Sequence, residues 1–256
     1  MAGMIASGLV SVTFRKLAPA EVVALVREAG LKGIEWGGDL HVPHGDIARA
    51  REVSELTHEA GLAVAAYGSY YRAGHSEEHG LPFQQVLDTA LELNAPLIRV
   101  WAGTVGSDSA DDNIRWRVAA DLRRIADQAA KAGVRVATEF HGGTLTDTND
   151  SANQLLVEAD HANLHTYWQP LMGMDDATCL GGLELLAPRL SHLHVYHWQT
   201  VQDRRPLAEG TARWQKFLAQ VKRLPGDRYA MLEFVTDDQP DNFRRDAATL
   251  REWLQA

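Results

Sequence analysis

Three short stretches share one pattern: Glu28-Ala29-Gly30-Leu31, Glu59-Ala60-Gly61-Leu62 and Lys131-Ala132-Gly133-Val134. Asn94, ahead of Ala95-Pro96-Leu97, stands in a similar place. Gly or Asn at such a point can take the left-handed conformation that closes a helix. An amphipathic run precedes each junction and a β-rich run follows it. Before Gly30, Val22, Leu25, Val26 and Ala29 recur at helical spacing; before Gly133, Ile114, Val118, Leu122, Ile125 and Ala129 do the same. The grammar is therefore helix, turn, strand, repeated.

Extending it along the chain predicts strands at Ile5-Phe14, Gly33-Trp36, Ala63-Tyr67, Leu97-Trp101, Val134-Phe140, Leu164-Gln169, Ser191-Trp198 and Tyr229-Val235. A helix can follow each, the last with Phe243, Ala247, Leu250 and Leu254 on one side. Alternating β and α favours a parallel sheet with right-handed crossovers, and eight units favour closure. The expectation is an α/β fold, a single (β/α)8 TIM barrel over residues 1-256, a length close to the roughly 250 residues usual for that fold. The rival is an open doubly wound sheet, but no Gly-rich phosphate loop follows the first strand. No linker or low-complexity stretch suggests a second domain.

Composition narrows the function. A formal net charge of -9 repels polyphosphate, which argues against nucleic acid as a partner. The only cysteine is Cys179, so neither an internal disulfide nor a cysteine zinc site is expected. Met1 to Val10 lacks a basic n-region and an apolar core, and no long apolar run implies a membrane span. A cytoplasmic enzyme acting on a small molecule is the expectation.

In a (β/α)8 barrel the chemistry sits at the C-terminal ends of the strands. There the chain places Glu139, Gln169, His194 and Glu233 on four consecutive strands. Two carboxylates, an amide oxygen and an imidazole suit one divalent ion such as Mn²⁺, Mg²⁺, Co²⁺ or Zn²⁺. The bland alternative is a buried network of ion pairs and hydrogen bonds. His141 follows Glu139 by two and shares its direction on a strand. Glu35, Tyr67, Arg99 and Trp101 lie near the ends of the second to fourth strands, and Arg204 and Arg205 after the seventh, as candidates for holding substrate. His192 and His165 read as structural. Trp36, Trp168 and Trp198 read as packing before they read as sugar platforms.

Gly33-Ile34-Glu35-Trp36, Glu139-Phe140-His141-Gly142-Gly143-Thr144-Leu145-Thr146-Asp147, Ser191-His192-Leu193-His194-Val195 and Leu232-Glu233 together resemble the xylose isomerase-like barrels, the sugar phosphate isomerase/epimerase group. That group includes ketose 3-epimerases, hydroxypyruvate isomerase and inosose dehydratase, and is distantly similar to endonuclease IV. The resemblance implies metal ligands Glu, Asp, His and Glu, which fall on Glu139, Gln169, His194 and Glu233. Gln replaces Asp, so the set loses a negative charge and the ion becomes less neutralised. Met172 stands where the group has a His, and His197 where it commonly has an Asp, a substrate-binding candidate here.

The implied chemistry is proton abstraction next to a carbonyl, with the metal stabilising an enediolate and Glu139, Glu233 or His141 moving protons. Epimerisation or aldose-ketose isomerisation of a sugar, sugar phosphate or polyol is the leading reading. A keto-sugar or keto-glycoside lyase or dehydratase is the runner-up. A DNA-repair endonuclease and a sugar-binding barrel without catalysis are more distant, and a homo-oligomer is implied by the resemblance alone.

Overall fold

In the computed structural model, which describes residues 3–255, eight parallel strands close on themselves in the order of the chain. The strands are β1 (Ile5–Val10), β2 (Gly33–Gly37), β3 (Ala63–Arg72), β4 (Leu97–Trp101), β5 (Arg135–Thr138), β6 (Leu164–Trp168), β7 (Leu190–Val195) and β8 (Arg228–Leu232). The helices are α1 (Pro19–Glu28), α2 (Ile47–Glu59), α3 (Phe83–Glu92), α4 (Asp112–Lys131), α5 (Asn149–Ala159), α6 (Asp176–Leu186), α7 (Thr211–Val221) and α8 (Pro240–Gln255). The expected single (β/α)8 barrel is the observed fold. Among the described residues no helix is long and apolar enough to cross a membrane.

The repeated junctions do what their residue types allow. Gly30, Gly61 and Gly133 carry φ of 72°, 74° and 74°, and Asn94 carries 59°. Each sits just past a helix that would otherwise run on. At the opposite ends Asp46, Asp111, Thr148 and Asp175 accept a backbone N–H from the third residue of α2, α4, α5 and α6. Those side chains satisfy donors that a helix start leaves unpaired.

The apolar residues divide between two places. The large cluster lies between strands and helices and includes Trp36, Tyr67, Phe83, Phe140, Trp168 and Phe217. A smaller one fills the barrel interior with Val10, Val12, Ala65, Ala66, Leu97, Ala137, Tyr167 and Met231. Above it, toward the C-terminal ends, the interior turns polar.

Only β4 ends where the sequence places it: β2 gains Gly37, and β6 and β7 stop at Trp168 and Val195, short of Gln169 and Trp198. β1 stops at Val10, and Ser11–Phe14 form a 3-10 turn. β5 and β8 stop at Thr138 and Leu232, so Glu139 and Glu233 are the first residues beyond them. β3 runs on to Arg72, past Tyr67, through a bulge in its pairing with β4 between Gly68 and Arg72. Ser69 bridges that bulge, its hydroxyl donating to Arg99 O (2.7 Å) and accepting from Tyr71 N (3.2 Å).

His165, on β6, has its pKa pushed down to about 4 by burial and by the nearby charges of Arg135 and Arg189. A histidine with a depressed native pKa is disfavoured in its charged form, so the unfolded chain takes up its proton first. Stability therefore falls as pH drops from about 6.5 toward 4. His165→Gln is expected to flatten that part of the stability profile, read from urea midpoints at pH 7, 5.5 and 4.5. An unchanged slope would remove His165 as the cause.

Candidate active site

The polar layer is built around one buried cation. Arg99 on β4 donates from Nε to Glu35 Oε1 of β2 (2.6 Å) and from Nη1 to Glu139 Oε2. All three side chains are buried. Gly68 makes room for this chain of charges: an added Cβ there would come within 2.7 Å of both Glu35 Oε1 and Arg99 Nη2. The arginine offsets the cost of burying the two carboxylates and holds Glu35 down at about 2 and Glu139 lower still. Tyr70 lies against the same guanidinium, with Arg99 Cζ 4.9 Å from its ring centre.

Glu139 has a second anchor in Trp101 Nε1, which donates to Oε2 (2.5 Å). Its backbone continues the sheet ladder to Val100 O (2.9 Å), and Thr146 donates to its carbonyl. Glu233 is tied to β7 by Glu233 N donating to Val195 O (3.2 Å), and the next N–H, of Phe234, donates to Thr13 Oγ1 (2.9 Å).

His194, fully buried on β7, joins the two carboxylates. Its Nδ1 lies 3.6 Å from Glu139 Oε1, 3.4 Å from Glu233 Oε2 and 3.0 Å from Gln169 Oε1. On the other side of the ring Nε2 faces Glu35 Oε2 at 3.6 Å. Glu139, His194 and Glu233 each present one ligand atom, all within 4.8 Å of one another. Three oxygens crowding one ring nitrogen is a donor set that a divalent cation matches. A carboxylate behind the far ring nitrogen is the usual way to fix the tautomer and orientation of a metal-ligating histidine. The residues present thus fit one divalent ion, with Gln169 Oε1 available as a fourth, neutral ligand. Nε2 of His194 and Oε2 of Glu35 are both buried with no hydrogen-bond partner.

The remaining candidates separate cleanly. His141 stacks on Trp101 with ring centres 4.5 Å apart, and its Nδ1 meets Gly142 O at 2.6 Å. Glu35 and Arg99 underlie the cluster. Tyr67 does not join it: the side chain belongs to the outer core and its hydroxyl donates to Val42 O (2.8 Å). Trp36 and Trp168 likewise pack outside the barrel. His197 turns toward the start of α7, where an added Cβ on Gly210 would come within 2.9 Å of Nδ1. Arg204 lies over the Phe234 ring (4.5 Å) with its charge already matched by Asp238 (2.7 Å), and Arg205 pairs with Asp203 (2.7 Å). His192 is buried beneath the site, its Nδ1 accepting from Tyr229 N (3.2 Å).

Sequence reasoning missed Thr13, Tyr70 and Thr146. Their signal is weak, because each acts through a neighbour's backbone or ring and not through a residue type that announces chemistry.

Comparison with known proteins agrees with this architecture. A 3-dehydroshikimate dehydratase of Bacillus anthracis is 24% identical over 270 residues, spanning 94% of this chain and 95% of the relative. The crystal structure of the probable 3-DHS dehydratase involved in petrobactin synthesis in that organism superimposes with a TM-score of 0.81 at 22% identity, covering 96% of this chain and 99% of that one. A D-psicose 3-epimerase from Clostridium cellulolyticum H10, solved with D-tagatose, gives 0.75 at 15% identity, with 98% of both chains covered. The family model described as xylose isomerase-like TIM barrel matches residues 23–253, and the chain belongs to that family.

Proposed function

We propose that this protein is a divalent-metal-dependent lyase that removes the proton beside a carbonyl in a small polyhydroxylated ketone and expels water from the neighbouring carbon. The observation that carries this reading is the inequality of the two carboxylates. Glu139 is gripped by Arg99 and Trp101 and held well below the usual carboxylate range. A carboxylate so stabilised is a poor proton acceptor. Epimerisation by one base on each face needs two carboxylates free to exchange protons, whereas elimination needs a single acid-base group. The full-length similarity to a dehydratase supports the same choice.

His141 is that group in this reading. Its Nδ1–H donates to Gly142 O, which leaves Nε2 as the basic nitrogen. Nε2 takes the proton from the carbon next to the carbonyl, and the electron pair of that bond becomes the new C=C bond. The C–O bond at the adjacent carbon breaks, and the imidazolium returns its proton to the departing hydroxide, which leaves as water. Glu139, Gln169, His194 and Glu233 would hold the ion, and Arg99 and Glu35 fix Glu139 and His194 in place. When bound, the ion supplies a Lewis acid that polarises the carbonyl and acidifies the neighbouring C–H.

A ketose epimerase or isomerase is the second reading, favoured by the convergence of Glu139 and Glu233 on His194 Nδ1. Incubation in D2O with 3-dehydroshikimate and with a panel of ketoses, followed by proton NMR, separates the two. The expected result is loss of water from the keto acid. Deuterium exchange or epimer formation in a ketose, with no elimination from any substrate, would overturn the lyase assignment. In the same assay His141→Asn is expected to lower kcat by about 10²- to 10⁴-fold. Unchanged turnover in that variant would remove His141 from the chemistry.

A further inference from the structure

Among the described residues, the arginines around the C-terminal mouth of the barrel are neutralised, with one exception. Arg15 pairs with Asp39 (2.5 Å), Arg99 lies between Glu35 and Glu139, Arg204 meets Asp238 and Arg205 meets Asp203. Arg72, the last residue of β3, is half-buried, and among the described residues its guanidinium has neither a carboxylate nor a hydrogen-bond acceptor. It lies over Trp101, with Cζ 4.1 Å from the ring centre. That indole is the one whose nitrogen holds Glu139, so Arg72 stands one aromatic ring away from the candidate metal cluster.

This position is built rather than incidental. Without the bulge between Gly68 and Arg72 the strand would run past Trp101 in plain register. Tyr70 adopts φ of 56° to make it, a left-handed conformation uncommon for an aromatic residue. The backbone of Arg72 is then locked on both sides. Its N–H donates to Ser76 Oγ (2.8 Å), its carbonyl accepts from His75 N and Ser76 N, and Ala73 N donates to Trp101 O (2.9 Å). A fixed backbone, a fixed aromatic platform and an unmatched cation together describe a preorganised anion receptor. Partial burial makes the unmatched charge costly, and a cation–π contact offsets only part of that.

We propose that Arg72 receives a carboxylate of the substrate, so that the polyhydroxylated ketone is a hydroxylated keto acid. Naming the substrate class rests on the lyase reading; the anion site does not. A single guanidinium offers two parallel N–H groups that match the two oxygens of a carboxylate. A phosphate would draw on further cations, but Arg99 is taken up by Glu35 and Glu139, and Arg117, near His75, already donates to Gly74 O (2.8 Å) and faces Glu78 (3.6 Å).

The test compares wild type, Arg72→Gln and Arg72→Lys with 3-dehydroshikimate, with its uncharged methyl ester and with a sugar phosphate, each followed by turnover and by titration calorimetry on the metal-depleted protein. Arg72→Gln is expected to raise KM and Kd for the acid on the order of 30-fold or more, in line with the loss of a desolvated charge pair. kcat at saturation and metal content should stay near wild type, and binding of the ester should not change. Arg72→Lys should recover part of the loss. Equal losses for acid and ester, or none for either, would overturn the assignment, and a loss confined to the sugar phosphate would replace carboxylate by phosphate. If wild type binds the acid through Arg72 but eliminates no water from it, the lyase reading fails and the anion site stands.

Discussion

Arg99→Leu is expected to lower the unfolding free energy by about 3–5 kcal/mol, the range for breaking a buried ion pair by removing one partner. The substitution removes the guanidinium and leaves Glu35 and Glu139 buried without their shared cation. Both would resist ionisation at neutral pH, so the loss should be largest above pH 5 and shrink in acid. Glu35 is held at about 2 in the intact protein, so its contribution is present above its unfolded value of 4.5 and disappears as pH falls toward 2. Adding Glu35→Gln to the variant should recover part of the loss, because one of the two orphaned charges is then gone. Urea unfolding across pH 3 to 8 measures all of this. A single variant within about 1 kcal/mol of wild type would mean that the Arg99 network carries little of the fold's stability.

Glu233→Gln carries the second large effect. The substitution retains shape and one oxygen but removes the charge that faces His194 Nδ1. Loss of even an outer-shell partner typically weakens metal affinity by about 10- to 100-fold, and a direct ligand should exceed that. The purified variant is expected to retain well under one divalent ion per chain, measured by elemental analysis, and to lose turnover by at least about 100-fold. Chelation of wild type should abolish turnover, and divalent metal should restore it. Full activity after complete chelation would sink the metal-dependent reading.

The fold was largely readable because its signal repeats. Gly30, Gly61, Asn94 and Gly133 punctuate the same unit four times, and a β-rich strand follows each. Strand ends were less readable. β3 continues past Tyr67 only because Tyr70 accepts a left-handed backbone, and no composition rule anticipates that. Glu139, Gln169, His194 and Glu233 stood out because ionisable or amide side chains at strand ends inside a barrel need partners. Tyr67 on β3 and Trp36 on β2 face the helices instead, since side chains alternate across a strand. Arg72 was hidden by the same misplaced end of β3. Arg204 drew notice by its charge, yet its value depended on Asp238, thirty-four positions away.

The neutral side chain at position 169 has an electrostatic consequence for what can enter the mouth. Beneath the cluster the charge of Arg99 cancels one of the three buried carboxylates, leaving two uncompensated. A dication would bring that inventory to zero, whereas an aspartate at 169 would leave it negative. An electroneutral cup imposes no long-range repulsion on an incoming anion, even in a chain whose overall charge is -9. In the proposed lyase, Gln169 would thus matter less as a weakened ligand than as the residue that opens the door to acidic guests.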